Sequence, residues 1–261
     1  MNKVVWITVL NKDKDEAQAK KLYQAIAGYG LSPAGHFWQD RLEEMAWAGA
    51  REDLVKKETA LWIVLGSAEA LAAPTIRYGL SLLALGVQDQ KGHGFPILIA
   101  VTAGEIKPET LPSPLRAADV LSAAQANLGV KIAAKANMPV KKVPADYRLD
   151  VYGLPGIGQW FEVGPAQGHA WNGVMFGVNA GDIDAHGVGP AHKLPERSVL
   201  EYPMKGMKID LGGVEYTAWA AQNELKSDSS YYLRVKGFPS AVLFGPLAQT
   251  EEAEAYVIKL K

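Results

Sequence analysis

The chain has 261 residues, a formal net charge of -1, 48% hydrophobic and 21% charged residues, and no cysteine. This length exceeds one ordinary core and predicts two domains. The near-neutral charge argues against a surface given over to nucleic acid, and the lack of cysteine excludes disulfides, thiolate nucleophiles and cysteine-held metals. No apolar run reaches bilayer-spanning length, and the opening segment has no signal-peptide form. The expectation is a cytoplasmic protein with no membrane segment.

The first half alternates two periodicities. "VVWITVL" (4–10) is a continuous apolar run, as in a strand covered on both faces. Ala17, Leu22, Ala25, Ile26 and Tyr29 then recur at helical spacing, with acids early and Gly30 as a C-terminal stop. A short strand follows at 34–38, and Leu42, Met45, Ala46, Ala50, Leu54 and Val55 repeat the helical pattern. Next come the strand "ALWIVLG" (60–66), a helix over 70–86, the strand "FPILIAV" (95–101) and a helix over 113–127. Such alternation predicts a doubly wound parallel sheet of flavodoxin-like type over residues 1–138.

The segment "NMPVKKVPAD", with two prolines, two lysines and little apolar content, reads as a linker over 139–147. Beyond it, residues 148–261 carry short runs rich in aromatic and β-branched residues: "YRLDVYG", "QWFEVG", "NGVMFGVN", "MKIDLGG", "VEYTAWA", "YYLRVKG", "AVLFG" and "AYVIKL". These predict an antiparallel β-sandwich or barrel. Residues 180–206 are too long for a hairpin and predict an extended loop.

The order of patterns in the first half resembles a TIR domain. The carriers are the first strand with "NKDKDEAQAKKLYQAIAGYGL", then "HFWQDRLEEMAWAGAREDLVKKETALWIVLGS", whose strand ends in a serine, and the proline-led strand "FPILIAV". The resemblance covers residues 3–125; nucleoside deoxyribosyltransferases share the outline. It implies a nucleotide crevice at the sheet's carboxyl edge. It also implies a glutamate on the helix after the third strand, which steadies the positive charge that develops on ribose as NAD is cleaved. Three helical turns past Ser67, where the resemblance puts that acid, stands "TIRYGL", with Arg77, Tyr78 and Gly79, and a cation there would oppose the charge that develops on the sugar. The family's carboxylate is missing.

Glu69 and Asp40 are the candidate substitute acids. Each also has a simpler reading: Ser67 caps a helix whose dipole Glu69 complements, together worth about 1–2 kcal/mol, and Asp40 caps a helix starting at Arg41. Trp38 and Arg77 are candidates to stack on a base and hold a phosphate, with a core tryptophan and a solvated arginine as the plainer alternative. Trp38, Asp40, Ser67, Glu69 and Arg77 therefore make up the candidate ligand site.

In the second half, Asp182, Asp184, His186 and His192 lie close in sequence. Asp184 and His186, two apart, would share one face of an extended segment, so Asp184, His186 and His192 are the candidate metal ligands. The spacing matches no strong metal motif, and no nucleophile elbow, Walker loop or dinucleotide fingerprint is present. Trp160, Trp171, Tyr202, Tyr216, Trp219, Tyr231 and Tyr232 are aromatic candidates for a ligand surface, most expected in the core.

The favoured expectation is a TIR-like module without its catalytic acid. It would bind a nucleotide-like ligand, NAD-like in the first instance, or a protein partner or second copy of itself, in signalling or defence. The alternative is an NAD glycohydrolase or deoxyribosyltransferase-like enzyme with a substitute carboxylate.

Overall fold

The computed structural model describes residues 2–247 and 254–261. The chain divides into two compact units, Met1–Val143 and Pro144–Lys261. The first is α/β with a parallel sheet; the second is an antiparallel sandwich.

The first unit is built on β1 (Val4–Val9), β2 (Ser32–Phe37), β3 (Thr59–Gly66), β4 (Ile97–Val101) and β5 (Asp119–Ser122), in the order β2-β1-β3-β4-β5. Every pairing is parallel. Alternation sends Val5, Ile7, Val9, Leu61, Ile63 and Leu65 to one face. There they share a core with Leu22 and Ile26 of α1 (Lys12–Gly28) and Ile132 of α5 (Leu128–Asn137). Helix α1 begins on Asn11, whose side chain accepts the Lys14 N–H, and ends before Gly30 at φ +73°. Trp6, Thr8 and Trp62 point the other way, and the Trp62 indole donates to Thr8 Oγ1 at 2.9 Å.

Three stretches differ from the sequence expectation, each for a local reason. The helix over 70–86 is two helices, α3 (Ala68–Ala72) and α4 (Pro74–Lys91). Pro74 forces Ala73 into an extended conformation and restarts the helix. The helical pattern at 42–55 forms two 3-10 turns, Leu42–Glu44 and Ala46–Ala50, and a single-turn α2 (Arg51–Val55). Met45, at φ +55°, interrupts it. The helix over 113–127 is replaced by a 3-10 turn at Ser113–Leu115 and by β5, with α5 following. Pairing of 119–122 with β4 overrides the helical propensity of this alanine-rich segment.

In the second unit one sheet has the order β6-β7-β12-β9, from Tyr147–Leu154, Gly158–Pro165, Ser229–Lys236 and Asp182–Pro190. The other has the order β10-β11-β8-β13-β14, from Met204–Leu211, Val214–Leu225, Trp171–Asn179, Ala241–Pro246 and Tyr256–Lys259. Phe161 of the first sheet meets Phe176 of the second at 5.3 Å between ring centres. The expected loop over 180–206 contains strand β9. Its Gly-, His- and Pro-bearing sequence is a weak strand former, and pairing along β12 holds it.

Candidate functional site

In open α/β sheets, ligands meet the carboxyl ends of the strands, where the loops after β2, β3 and β4 gather here. Trp38 follows β2 directly, with its backbone N–H on Val9 O, and is 9% exposed. Its indole lies against Gly79 of α4: a Cβ at Gly79 would stand 2.6 Å from Trp38 Cζ2 and 3.2 Å from Leu42 Cδ2. Gly79 is therefore bare because an indole occupies the space of its side chain. Trp38 Nε1 is buried and finds no hydrogen-bond partner among the described residues.

The other rim residues bond to the protein itself. Ser67 Oγ accepts the Ala70 N–H at 3.1 Å and caps α3, and Glu69 lies exposed in that helix's first turn. Asp40 caps no helix. Its Oδ2 instead accepts the Thr75 hydroxyl at 2.6 Å, tying the loop after β2 to the start of α4. Arg77 is half-buried, and its guanidinium donates to the Thr110 carbonyl. It lines a crevice of about 120 Å³ with Ala68, Leu71 and Glu105. Trp38, Asp40 and Arg77 thus gather around the start of α4, while Ser67 and Glu69 begin the short helix before it.

Beside Trp38 stands His36, whose Nδ1 accepts from the Trp6 indole at 3.1 Å. Burial pushes this imidazole down to about 4, against a weaker upward pull from Asp53, so at neutral pH it is uncharged.

The candidate metal residues take separate positions. β9 carries an irregularity opposite Arg234 and Val235: Ala185 pairs with Arg234, while Ile183 pairs with Val235. The extra residue, Asp184, joins the face of Arg234 and Lys236. Its Oδ1 accepts from Arg234 Nε at 2.7 Å and its Oδ2 from Lys236 Nζ at 2.8 Å. The hydrogen bond to Arg234, with Lys236 in support, holds the Asp184 carboxyl below its usual range. His186 faces the sandwich interior, with Nδ1 2.6 Å from the Tyr231 hydroxyl and its ring edge-on to Trp219 at 4.7 Å. Burial, aided by Lys205, pushes it down to about 4. The expectation that Asp184 and His186 share a face is corrected by this bulge. His192 sits in a left-handed turn at φ +60° and gives its backbone N–H to Glu162.

Glu162 is the polar centre that sequence reasoning passed over. Its side chain is 1% exposed. It accepts from Arg148 Nη1 (3.2 Å), Tyr152 (2.5 Å), Ser230 (2.7 Å) and the His192 N–H (2.8 Å). Burial, chiefly, pushes both Tyr152 and Tyr232 above the ordinary phenol range, so both remain hydroxyl donors. In the sequence Glu162 is one outward-facing acid in a strand. Residues 190–195 approach it: the His192 N–H donates to Glu162 and the Lys193 N–H to the neighbouring Tyr232 hydroxyl. Among the aromatic candidates, Trp171, Tyr216, Tyr231 and Tyr232 are buried, Trp160 and Trp219 half-buried, and Tyr202 exposed.

Compared with the known protein families and with curated proteins, the chain matches none of them.

Proposed function

We propose that the α/β unit is a TIR-like module that works by binding, without the family's sugar–base cleavage. One observation carries this reading: the segment where the resemblance puts the catalytic acid, Arg77, Tyr78 and Gly79, offers no carboxylate, and at Gly79 the Trp38 indole fills the volume a side chain would need. The strand order β2-β1-β3-β4-β5 agrees with the flavodoxin-like outline on which the TIR resemblance rests. Cleavage of a nicotinamide–ribose bond needs a carboxylate beside the ribose to stabilise developing positive charge. Of the rim acids, Asp40 is engaged by Thr75, Glu69 lies exposed at the start of a five-residue helix, and Glu105, exposed on the loop after β4, shares the crevice with the Arg77 guanidinium.

Of the two occupants expected from sequence, the geometry favours a protein partner over a dinucleotide. The crevice beside Arg77 holds about 120 Å³, whereas small-molecule sites run from roughly 300 to 1,000 Å³. Incubating the full chain with NAD and following nicotinamide release tests the reading. The expected result is release no faster than the buffer blank. Turnover that disappears in Glu69→Gln, Asp40→Asn or Glu105→Gln would overturn it.

A further inference from the structure

On the opposite side of the sheet from Trp38, between α1 and the edge strand β2, lies a groove of about 520 Å³. That volume falls within the small-molecule range. Val9, Ala19, Tyr23, Gly35 and Phe37 line it. Gly35 is required here because a side chain would run into Ile7 O, 2.0 Å from its Cβ position, so backbone lies where a side chain would otherwise fill space. The Tyr23 hydroxyl stands 2.8 Å from that same Cβ position, and burial holds the phenol above its usual range. An apolar cavity with a few convergent polar groups is the form ligand sites take.

The charges around the groove are unequal. Lys20 and Glu16 line it as a pair at 2.8 Å, with the lysine side chain 71% exposed. The Lys12 ammonium stands 5.5 Å from the centre of the Phe37 ring. The lining thus carries one ion pair, Lys20 with Glu16, and a second ammonium, that of Lys12, lies over its Phe37 wall. An exposed pair such as Glu16–Lys20 contributes little and is readily exchanged for another anion.

We infer that this groove binds a small amphipathic anion, with its apolar or aromatic body against Val9, Ala19 and Phe37 and its acid group at Lys20. The groove reaches the carboxyl ends of β1 and β2 but lies across the sheet from Trp38 and Gly79, so the inference stands or falls independently of the reading of Gly79. The test uses the full chain and two fluorescent probes of similar body: 1-anilinonaphthalene-8-sulfonate, which is anionic, and N-phenyl-1-naphthylamine, which is neutral. The expected result is saturable binding of the sulfonate at one site per chain, displaced by decanoate. Gln24→Trp, at an exposed lining position, closes the groove and weakens both probes at least tenfold. Lys20→Glu weakens the sulfonate about tenfold and leaves the neutral probe within twofold. Both substitutions are on the exposed face of α1, and an unchanged denaturation curve verifies that each variant folds. Absence of saturable binding, or sulfonate binding indifferent to Gln24→Trp, overturns the site. Equal losses of both probes in Lys20→Glu overturn the assignment of an anionic ligand.

Discussion

Glu69 and Glu162 are both acids beside strand residues, and their settings are opposite. Glu69 sits at the carboxyl rim of the parallel sheet, exposed, in the first turn of a helix that Ser67 caps. Glu162 lies within the β-sandwich unit, almost wholly removed from water, with four donors on its two oxygens. The rim acid answers to a local need of the helix end. The buried acid organises segments distant in sequence: the turn before Ser230, the loop at His192 and two strands. Exposure leaves an acid available and nearly without energetic consequence; burial makes it costly to disturb and occupies its lone pairs.

The largest effect expected from this contrast is at Arg148. Its guanidinium also donates to Pro165 O and Ser229 O, so it ties β6 and β12 to Glu162's own strand β7. Arg148→Ala leaves a buried carboxylate without its counter-charge and is expected to cost about 3–5 kcal/mol. Chemical denaturation followed by the second unit's tryptophans measures it. Arg148→Ala and Glu162→Gln combined should cost less than the sum of the two. A loss under 1 kcal/mol in Arg148→Ala would mean that Glu162 is not held as a buried ion.

An intermediate effect is expected where the rim is packed most tightly. Gly79→Ala gains about 1 kcal/mol of helix propensity and places a methyl 2.6 Å from the Trp38 ring. Overpacking of this kind costs about 1–3 kcal/mol, so a net destabilisation of about 1–2 kcal/mol is expected. Trp38→Leu in the same chain should relieve it, giving a coupling that a double-mutant cycle reads directly. Additive effects of the two substitutions would separate Trp38 from Gly79 and remove the steric reason for glycine there.

What was legible in the sequence follows the same division. The Ser67 cap spans three residues and the strands of both units carry their own periodicities, so the α/β-then-β architecture could be read directly. Glu162 could not, because its side-chain partners are 14, 10 and 68 residues away. The faces of Asp184 and His186 were misread because a single bulge residue reverses a period-two argument. Strand β5 was read as helix because its partner β4, and not its own propensity, decides its state. The break at Pro74 was available locally, in the restriction a proline places on the residue before it, but the apolar spacing on both sides ran through it. At the rim the bare Gly79 of "IRYGL" was visible; the indole that fills its side-chain space, 41 residues earlier in the chain, was not.

The smallest effects belong to Ser67 and Glu69 and bear most directly on what the rim does. With Ser67 Oγ on the Ala70 N–H, Ser67→Ala is expected to cost about 1 kcal/mol, and Ser67→Asp to retain most of the cap. Glu69→Gln removes a charge from the positive end of a short helix and is expected to cost a few tenths of a kcal/mol, about 0.3 at low salt, vanishing as salt screens it. Thermal denaturation at two ionic strengths resolves this order: Ser67→Ala shifted at both, Glu69→Gln shifted at low salt alone. Glu69→Gln stabilising the fold would be the informative reversal. Acids arranged for chemistry are commonly held at a cost in stability, and removing such an acid relieves that cost. In that event the rim would resemble an active centre more than the buried, fully bonded Glu162 does, and the contrast between the two regions would have to be redrawn.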